Sequence, residues 1–392
     1  MKVAFVTNIC AHYRVKTFEA LARLYDVQYF FYSAGDEWYW QQNHGVRAGD
    51  FPYAYLPGFQ LTQAVRVAPS LVTKLWRGHY DVFVKCINGR FALPVTYLIA
   101  RLLGRPFVLW TGIWMSLQTP FHRLAFPVTV WIYRHADAIA VYGEHVKRYL
   151  IGLGVAPEKI FVAPHAVDNV TYNQPVAEPD KAPLRAKLAL GDRKVVLYLG
   201  RLEAVKGVDY LIRAFARLNH QDAVLVVVGE GALRERLELL AWELGIQENV
   251  RFLGYVPPER TRIYFAMADV YVLPSVTMPT GKETWGLTVN EAMNQGVPVV
   301  ASEAVGAAAG GLVQSGVNGF VVPERDSAAL AQAIHRILTN VKLREQLSQN
   351  ARRIIAEWDN ERMVQGFRRA IESVVKQDSH FPTDRHNTHA EP

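Results

Sequence analysis

The chain has 392 residues, half of them hydrophobic and 20% charged, with a net charge of +7. That length suggests two domains of ordinary size, and the composition excludes a disordered or fibrous chain. Cys10 and Cys86 make neither a disulfide framework nor a zinc pattern, which favours a reducing, cytoplasmic setting. The basic balance favours anionic partners, but no basic stripe with interleaved aromatics suggests nucleic acid. The opening Met1–Asn8 turns polar too soon for a signal peptide.

In chain order, the apolar run at 2–7 predicts a strand, and the pattern after it a helix over 16–24. Short apolar runs at 27–32, 82–86, 107–110, 138–142 and 160–163 predict further strands, most of them separated by helical stretches. Such alternation argues for parallel βαβ units covered on both faces. The apolar region 91–115 is cut by Arg101, Gly104, Arg105 and Pro106. It therefore predicts a helix over 93–103 and a buried strand over 106–110, not a membrane span. At 61–77, Leu61, Val65, Ala68, Leu71, Val72 and Leu75 fall at helical spacing, with Arg66, Lys74 and Arg77 among them. The expectation there is an amphipathic helix, packed on the first core or resting on an anionic membrane at its inner face.

The Pro-, Glu- and Asp-rich stretch 173–184 is the linker candidate. A second βαβ series follows, with strands at 195–200, 223–228, 250–253, 270–273, 297–301 and 319–322. Its helices are predicted over 208–218, 233–244, 327–338 and 343–357, with one more over 363–376. The expected organisation is a first domain 1–175, a second 176–358, a closing helix 359–376 and a polar, disordered tail 377–392. The fold class is α/β, two Rossmann-like domains facing across a cleft, with ligand at the carboxyl ends of the strands.

Three constellations carry chemistry. Gly200-Arg201-Leu202-Glu203-Ala204-Val205-Lys206-Gly207 follows a strand, so Arg201 and Lys206 stand at the cleft rim as candidates to hold a diphosphate. Val228-Gly229-Glu230-Gly231 is a second strand-end turn, where glycines let a nucleotide approach the backbone. In Glu283-Thr284-Trp285-Gly286-Leu287-Thr288-Val289-Asn290-Glu291, a glycine sits between two carboxylates at a helix start. The amides of Leu287 and Thr288 suit a phosphate there. Glu283, ahead of the helix, is free to reach a sugar hydroxyl, and Glu291, inside it, suits a ribose diol. Each stretch also reads as an ordinary surface loop or turn when taken alone.

In series with Leu253-Gly254-Tyr255-Val256 and Gly296-x-Pro298-Val299-Val300-Ala301-Ser302, these motifs resemble the retaining glycosyltransferases of family 4, which have the GT-B fold. The resemblance implies catalytic roles for Arg201, Lys206 and Glu283. It implies donor binding by Glu291, Gly286, Leu287, Thr288, Gly229, Glu230, Gly231, Tyr255 and Val256, and a final helix crossing back to the first domain. The donor is then a nucleoside-diphosphate sugar, with no obligatory cofactor and no metal, since no Asp-x-Asp motif is present. The first half departs from the family pattern. An Asn8…Tyr13-Arg14 variant stands where a glycine-rich loop is common, and Trp110-Thr111-Gly112-Ile113-Trp114 lacks a histidine. His12, Arg14, Trp114 and His165 are the acceptor-side candidates, the acceptor being a glycan or a lipid-linked one. A sugar-nucleotide-binding protein without turnover is the alternative. A dehydrogenase is disfavoured because no dinucleotide fingerprint follows either opening strand.

Overall fold

The structure, a computed structural model, describes residues 1–33, 49–62, 65–218 and 222–378. The first half contributes β1 (Lys2–Thr7), β2 (Asp26–Phe31), β3 (Tyr53–Tyr55), β4 (Phe59–Thr62), β5 (Val65–Val67), β6 (Val82–Cys86), β7 (Phe107–Thr111), β8 (Ala138–Val141) and β9 (Ile160–Val162). The second contributes β10 (Lys194–Leu199), β11 (Ala223–Val228), β12 (Val250–Phe252), β13 (Val270–Leu273), β14 (Val299–Ser302) and β15 (Gly319–Val322). Two parallel sheets result, ordered β3-β2-β1-β6-β7-β8-β9 and β12-β11-β10-β13-β14-β15. Every residue of β6 and of β11 is buried, as continuous apolar runs covered by helices on both faces require. This is the α/β, two-Rossmann architecture expected from the alternation of runs.

Strand order reverses between β1 and β6 in one sheet and between β10 and β13 in the other. Loops leaving adjacent strands at such a point diverge and open a crevice. The loops after β7 and β13 meet: Trp114 Nε1 donates to the Glu283 carbonyl at 3.1 Å, and Gln118 N to the Pro279 carbonyl at 2.7 Å. The two crevices therefore form one cleft.

The last helix, Asn360–Asp378, packs on the first half. Its Phe367 lies 5.7 Å from the Phe5 ring and 5.3 Å from Trp110, and Thr17 donates to Asn360 at 2.9 Å. It begins three residues before the predicted helix over 363–376 and ends two after. The remaining tail, 379–392, lies outside the described residues.

Two expectations are corrected. The amphipathic helix over 61–77 is instead the antiparallel hairpin β4–β5 followed by a short helix, Ser70–Arg77. β-Branched Thr62, Val65 and Val67 favour strand, and Pro69 confines the helix start. Of that helix, Leu71 and Leu75 are fully buried in the core. The linker stretch 173–184 holds most of a helix, Glu178–Lys187, because Pro179 falls in its first turn, where no donor is needed. No helix among the described residues is long and apolar enough to cross a membrane.

Candidate active site

Lys206 ends a 3-10 turn, Ala204–Lys206, in the loop leaving β10. Glu283 sits in the loop leaving β13, the neighbouring strand. Their side chains form a hydrogen-bonded ion pair, each mostly shielded from solvent. Ser275 Oγ donates to the same carboxylate oxygen at 3.4 Å. The Glu283 backbone is held from both halves, its carbonyl accepting from Gly306 N at 3.1 Å and from the Trp114 indole at 3.1 Å. The carboxylate thus has a fixed origin and a cation already on it.

Three residues further, Gly286 takes φ +89° and caps the helix Leu287–Asn294. A Cβ there would come within 2.6 Å of Leu273 Cδ2, so the turn needs glycine for both its angle and its space. Leu287 and Thr288 supply first-turn amides, which helix geometry leaves without intrahelical acceptors. The Thr288 hydroxyl is fixed by Tyr271, whose OH donates at 2.5 Å. Glu291, on the same helix, is only 8% exposed and receives Thr261 Oγ1 at 3.4 Å. Burial pushes its carboxyl up to about 8, against the hydrogen bonds from Thr261 and Tyr172 that favour the ionised form.

The 228–231 turn is stitched to the loops after β10 and β12. Gly200 N donates to Val228 O at 3.0 Å, Leu202 N to Glu230 O at 2.8 Å, and Gly229 N to Gly254 O at 2.8 Å. Glu230 accepts from Tyr255 N at 3.3 Å, which brings Tyr255 and Val256 beside the turn. Of the two cations in the loop leaving β10, Lys206 pairs with Glu283 and Arg201 with a neighbour in its own loop. Arg201 is half-exposed and pairs with Glu203 at 2.7 Å.

On the other side, His12 and Arg14 occupy a 3-10 turn, His12–Arg14, after β1. Arg14 is buried over the Trp110 ring at 4.7 Å and forms no ion pair with a carboxylate among the described residues. Burial works against its charge, yet the phenols of Tyr13 and Tyr142 raise its proton affinity above the ordinary value. His165 stacks on Tyr142 at 4.5 Å and meets Tyr13 edge-on at 5.4 Å. Its burial, with Arg14 nearby, holds the imidazole well below its usual range, so it is neutral. Trp114 contacts the 282–284 loop, its indole donating to the Glu283 carbonyl.

Sequence reasoning missed His145, Ser275 and Lys282. His145 Nε2 lies 3.4 Å from the Thr284 carbonyl, and burial lowers its pKa to about 4. Lys282 covers the Trp114 ring at 4.0 Å. Separations of well over a hundred residues leave no local sequence signal for His145 or Trp114 reaching the 282–284 loop.

Two facing parallel sheets, with a cation-bearing loop at each switch point and glycine turns in the second half, define an α/β enzyme built around a cleft between them. Family descriptions match both halves: "Glycosyltransferase Family 4" over residues 15–169 and "Glycosyl transferases group 1" over 180–354. The chain is a glycosyltransferase of the GT-B fold. It is 29% identical to the alpha-D-kanosaminyltransferase of Streptomyces kanamyceticus over 69% of this chain and 71% of that one. It is 37% identical to the GDP-mannose-dependent alpha-(1-6)-phosphatidylinositol monomannoside mannosyltransferase of Mycolicibacterium smegmatis over 45% of this chain, spanning about half (47%) of that protein. Anabaena HepE, solved with UDP, shares the fold at a TM-score of 0.76 and 23% identity, over 95% of this chain and all of that one.

Proposed function

We propose that the chain transfers a hexosyl-type unit from a nucleoside-diphosphate sugar to a glycan or glycolipid acceptor with retention of anomeric configuration. The observation that carries this reading is the shielded Lys206–Glu283 pair at the β10/β13 switch point, beside the Gly286 turn. Donor diphosphate at the first-turn amides would draw Lys206 towards the leaving oxygen, where negative charge grows as the glycosidic bond breaks. Glu283, already bonded to Lys206 and Ser275, is poorly free to attack carbon. It orients the sugar, and the departing phosphate takes the acceptor proton on the same face. HepE bound to UDP-glucose and the GDP-mannose dependence of the mycobacterial relative support a nucleoside-diphosphate donor. Arg14, a buried cation with no carboxylate partner among the described residues, supports an anionic group on the acceptor side as well.

The test is a panel of UDP-, GDP- and ADP-sugars read by mass spectrometry, with product anomers assigned by NMR. Transfer or donor hydrolysis with retained configuration is expected. An inverted product overturns retention, and donor binding without any turnover leaves a binding protein.

Glu291 gives a pH signature. Free, its carboxyl keeps a proton up to about 8. A ribose diol donates to the ionised form, so donor binding releases that proton. Donor KM is expected to fall as pH rises from 6.5 to 8, by roughly tenfold per unit at the steepest, and to level off above. Glu291→Gln should flatten the curve and raise KM at pH 8. A wild-type KM that ignores pH over this window contradicts the role.

A further inference from the structure

Two buried tyrosines stand under the loops of the candidate donor site. Tyr198, on β10, donates its phenol to the Arg201 carbonyl at 2.7 Å. That acceptor takes its one proton, so Tyr198 serves to hold the turn after β10. Tyr271, on the neighbouring strand β13, is placed differently. Its phenol oxygen lies 3.2 Å from the Leu199 carbonyl and 2.5 Å from Thr288 Oγ1. One proton there faces two acceptors.

Packing alone does not ask for that hydroxyl. Tyr271 is fully buried and meets the Phe265 ring edge-on at 5.4 Å. A phenylalanine ring would fill the same space, and a buried hydroxyl is costly unless it is bonded. Burial holds the phenol proton well above its usual range, against the hydrogen bond with Thr288 and together with the charges of Glu291 and Glu283. Tyr271 is therefore a donor at every working pH.

Thr288 is the other half of the pair. It is the second residue of the helix Leu287–Asn294, half-buried, in the turn whose amides lack intrahelical acceptors. Its hydroxyl carries one proton and can also accept. Among the described residues Tyr271 is its only hydrogen-bond partner. Once the phenol donates to Oγ1, the Thr288 proton cannot point back at Tyr271. It is left for an acceptor that the cleft brings to the start of the helix. A hydroxyl held this way is aimed before the ligand arrives and need not be ordered on binding.

We infer that Tyr271 is a positioning residue for the donor: its phenol donates to Thr288 Oγ1 and so turns the Thr288 hydroxyl proton towards the diphosphate. This inference rests on the donor reading above and adds a residue that acts through another without touching the ligand itself. It is tested on the full chain. Wild type, Tyr271→Phe, Thr288→Val and the double variant are titrated with UDP, GDP and ADP by calorimetry, and melting of the nucleotide-free proteins is recorded alongside.

With the nucleotide that the wild type binds most tightly, Tyr271→Phe and Thr288→Val are each expected to weaken binding by roughly tenfold, the size of one hydrogen bond to a charged group. The double variant should lose no more than either single one, since the phenol has nothing to orient once the hydroxyl is gone. Thr288→Ser, which puts the hydroxyl back, should regain most of what Thr288→Val loses. A purely structural Tyr271 would lower the melting midpoint and leave the nucleotide affinity as it was, and that result overturns the inference. Losses that add in the double variant overturn it too. So does Thr288→Val binding like the wild type, whatever becomes of Tyr271→Phe. A wild type that binds none of the three nucleotides overturns the donor reading itself, whereas intact binding that Tyr271→Phe leaves unchanged overturns this inference alone.

Discussion

Lys206→Ala is expected to lower kcat by roughly 100- to 1000-fold while changing donor KM by less than about threefold, the size of effect seen when one transition-state charge stabiliser is removed. The reason is the setting of the ammonium. Both partners of the Lys206–Glu283 pair are largely shielded, with side-chain exposures of 14% and 13%. In such a site a cation acts through a weaker screen than in water and needs little reorganisation when charge develops. Removing it also leaves the Glu283 carboxylate with Ser275 as its remaining partner among the described residues, and breaking a buried pair costs about 3–5 kcal/mol of stability. The double variant Lys206→Ala/Glu283→Gln separates the two effects. It should recover thermal stability and remain slow. Steady-state kinetics on purified protein give the answer, and near-normal kcat in the single variant would refute the role.

Gly229→Ala is expected to destabilise the second domain by about 3 kcal/mol or more and to abolish nucleotide binding. At φ +137°, a Cβ would stand 1.9 Å from the Gly200 carbonyl oxygen, a backbone atom that cannot swing aside. Overpacking costs about 1–3 kcal/mol and a residue forced into such a backbone region a similar amount. For a domain of this size the melting midpoint should drop by roughly 6–12 °C. Gly245→Ala is the control. Its φ is also positive, at +70°, but no atom stands within 4 Å of a Cβ, so a smaller loss is expected. Equal melting of the two variants would mean the 229–231 turn yields, and that its contact with the Gly200 loop does not shape the site.

The sheet architecture was legible because buried parallel strands are plain apolar runs: Val224-Leu225-Val226-Val227-Val228 can hardly be anything else. The candidate donor-side turns were legible for a related reason. Gly286, Gly229 and the charged residues around them lie in short stretches, so local spacing carries their geometry. The hairpin Phe59–Val67 was misread because six apolar residues happened to fall at helical spacing, while the strand preference of its β-branched residues went unweighted. The pairing of Arg201 with Glu203 was invisible for another reason. Five residues of loop can aim two cations either way, and Glu203 captures the first. The contact of Trp114 with Glu283 arises only when distant segments meet.

The return of Asn360–Asp378 to the first half means that the chain crosses between halves twice, once before Glu178 and again near Trp358. A body joined by two adjacent tethers can swing about the line between them but cannot readily slide or twist freely. Opening of the cleft is thereby reduced towards one degree of freedom, with Trp285, two residues after Glu283, stacked on Trp358 beside the second tether. It also means the first half is not contiguous in the gene product. A fragment ending before residue 360 would leave Phe5 and Trp110 without Phe367 and expose part of its own core.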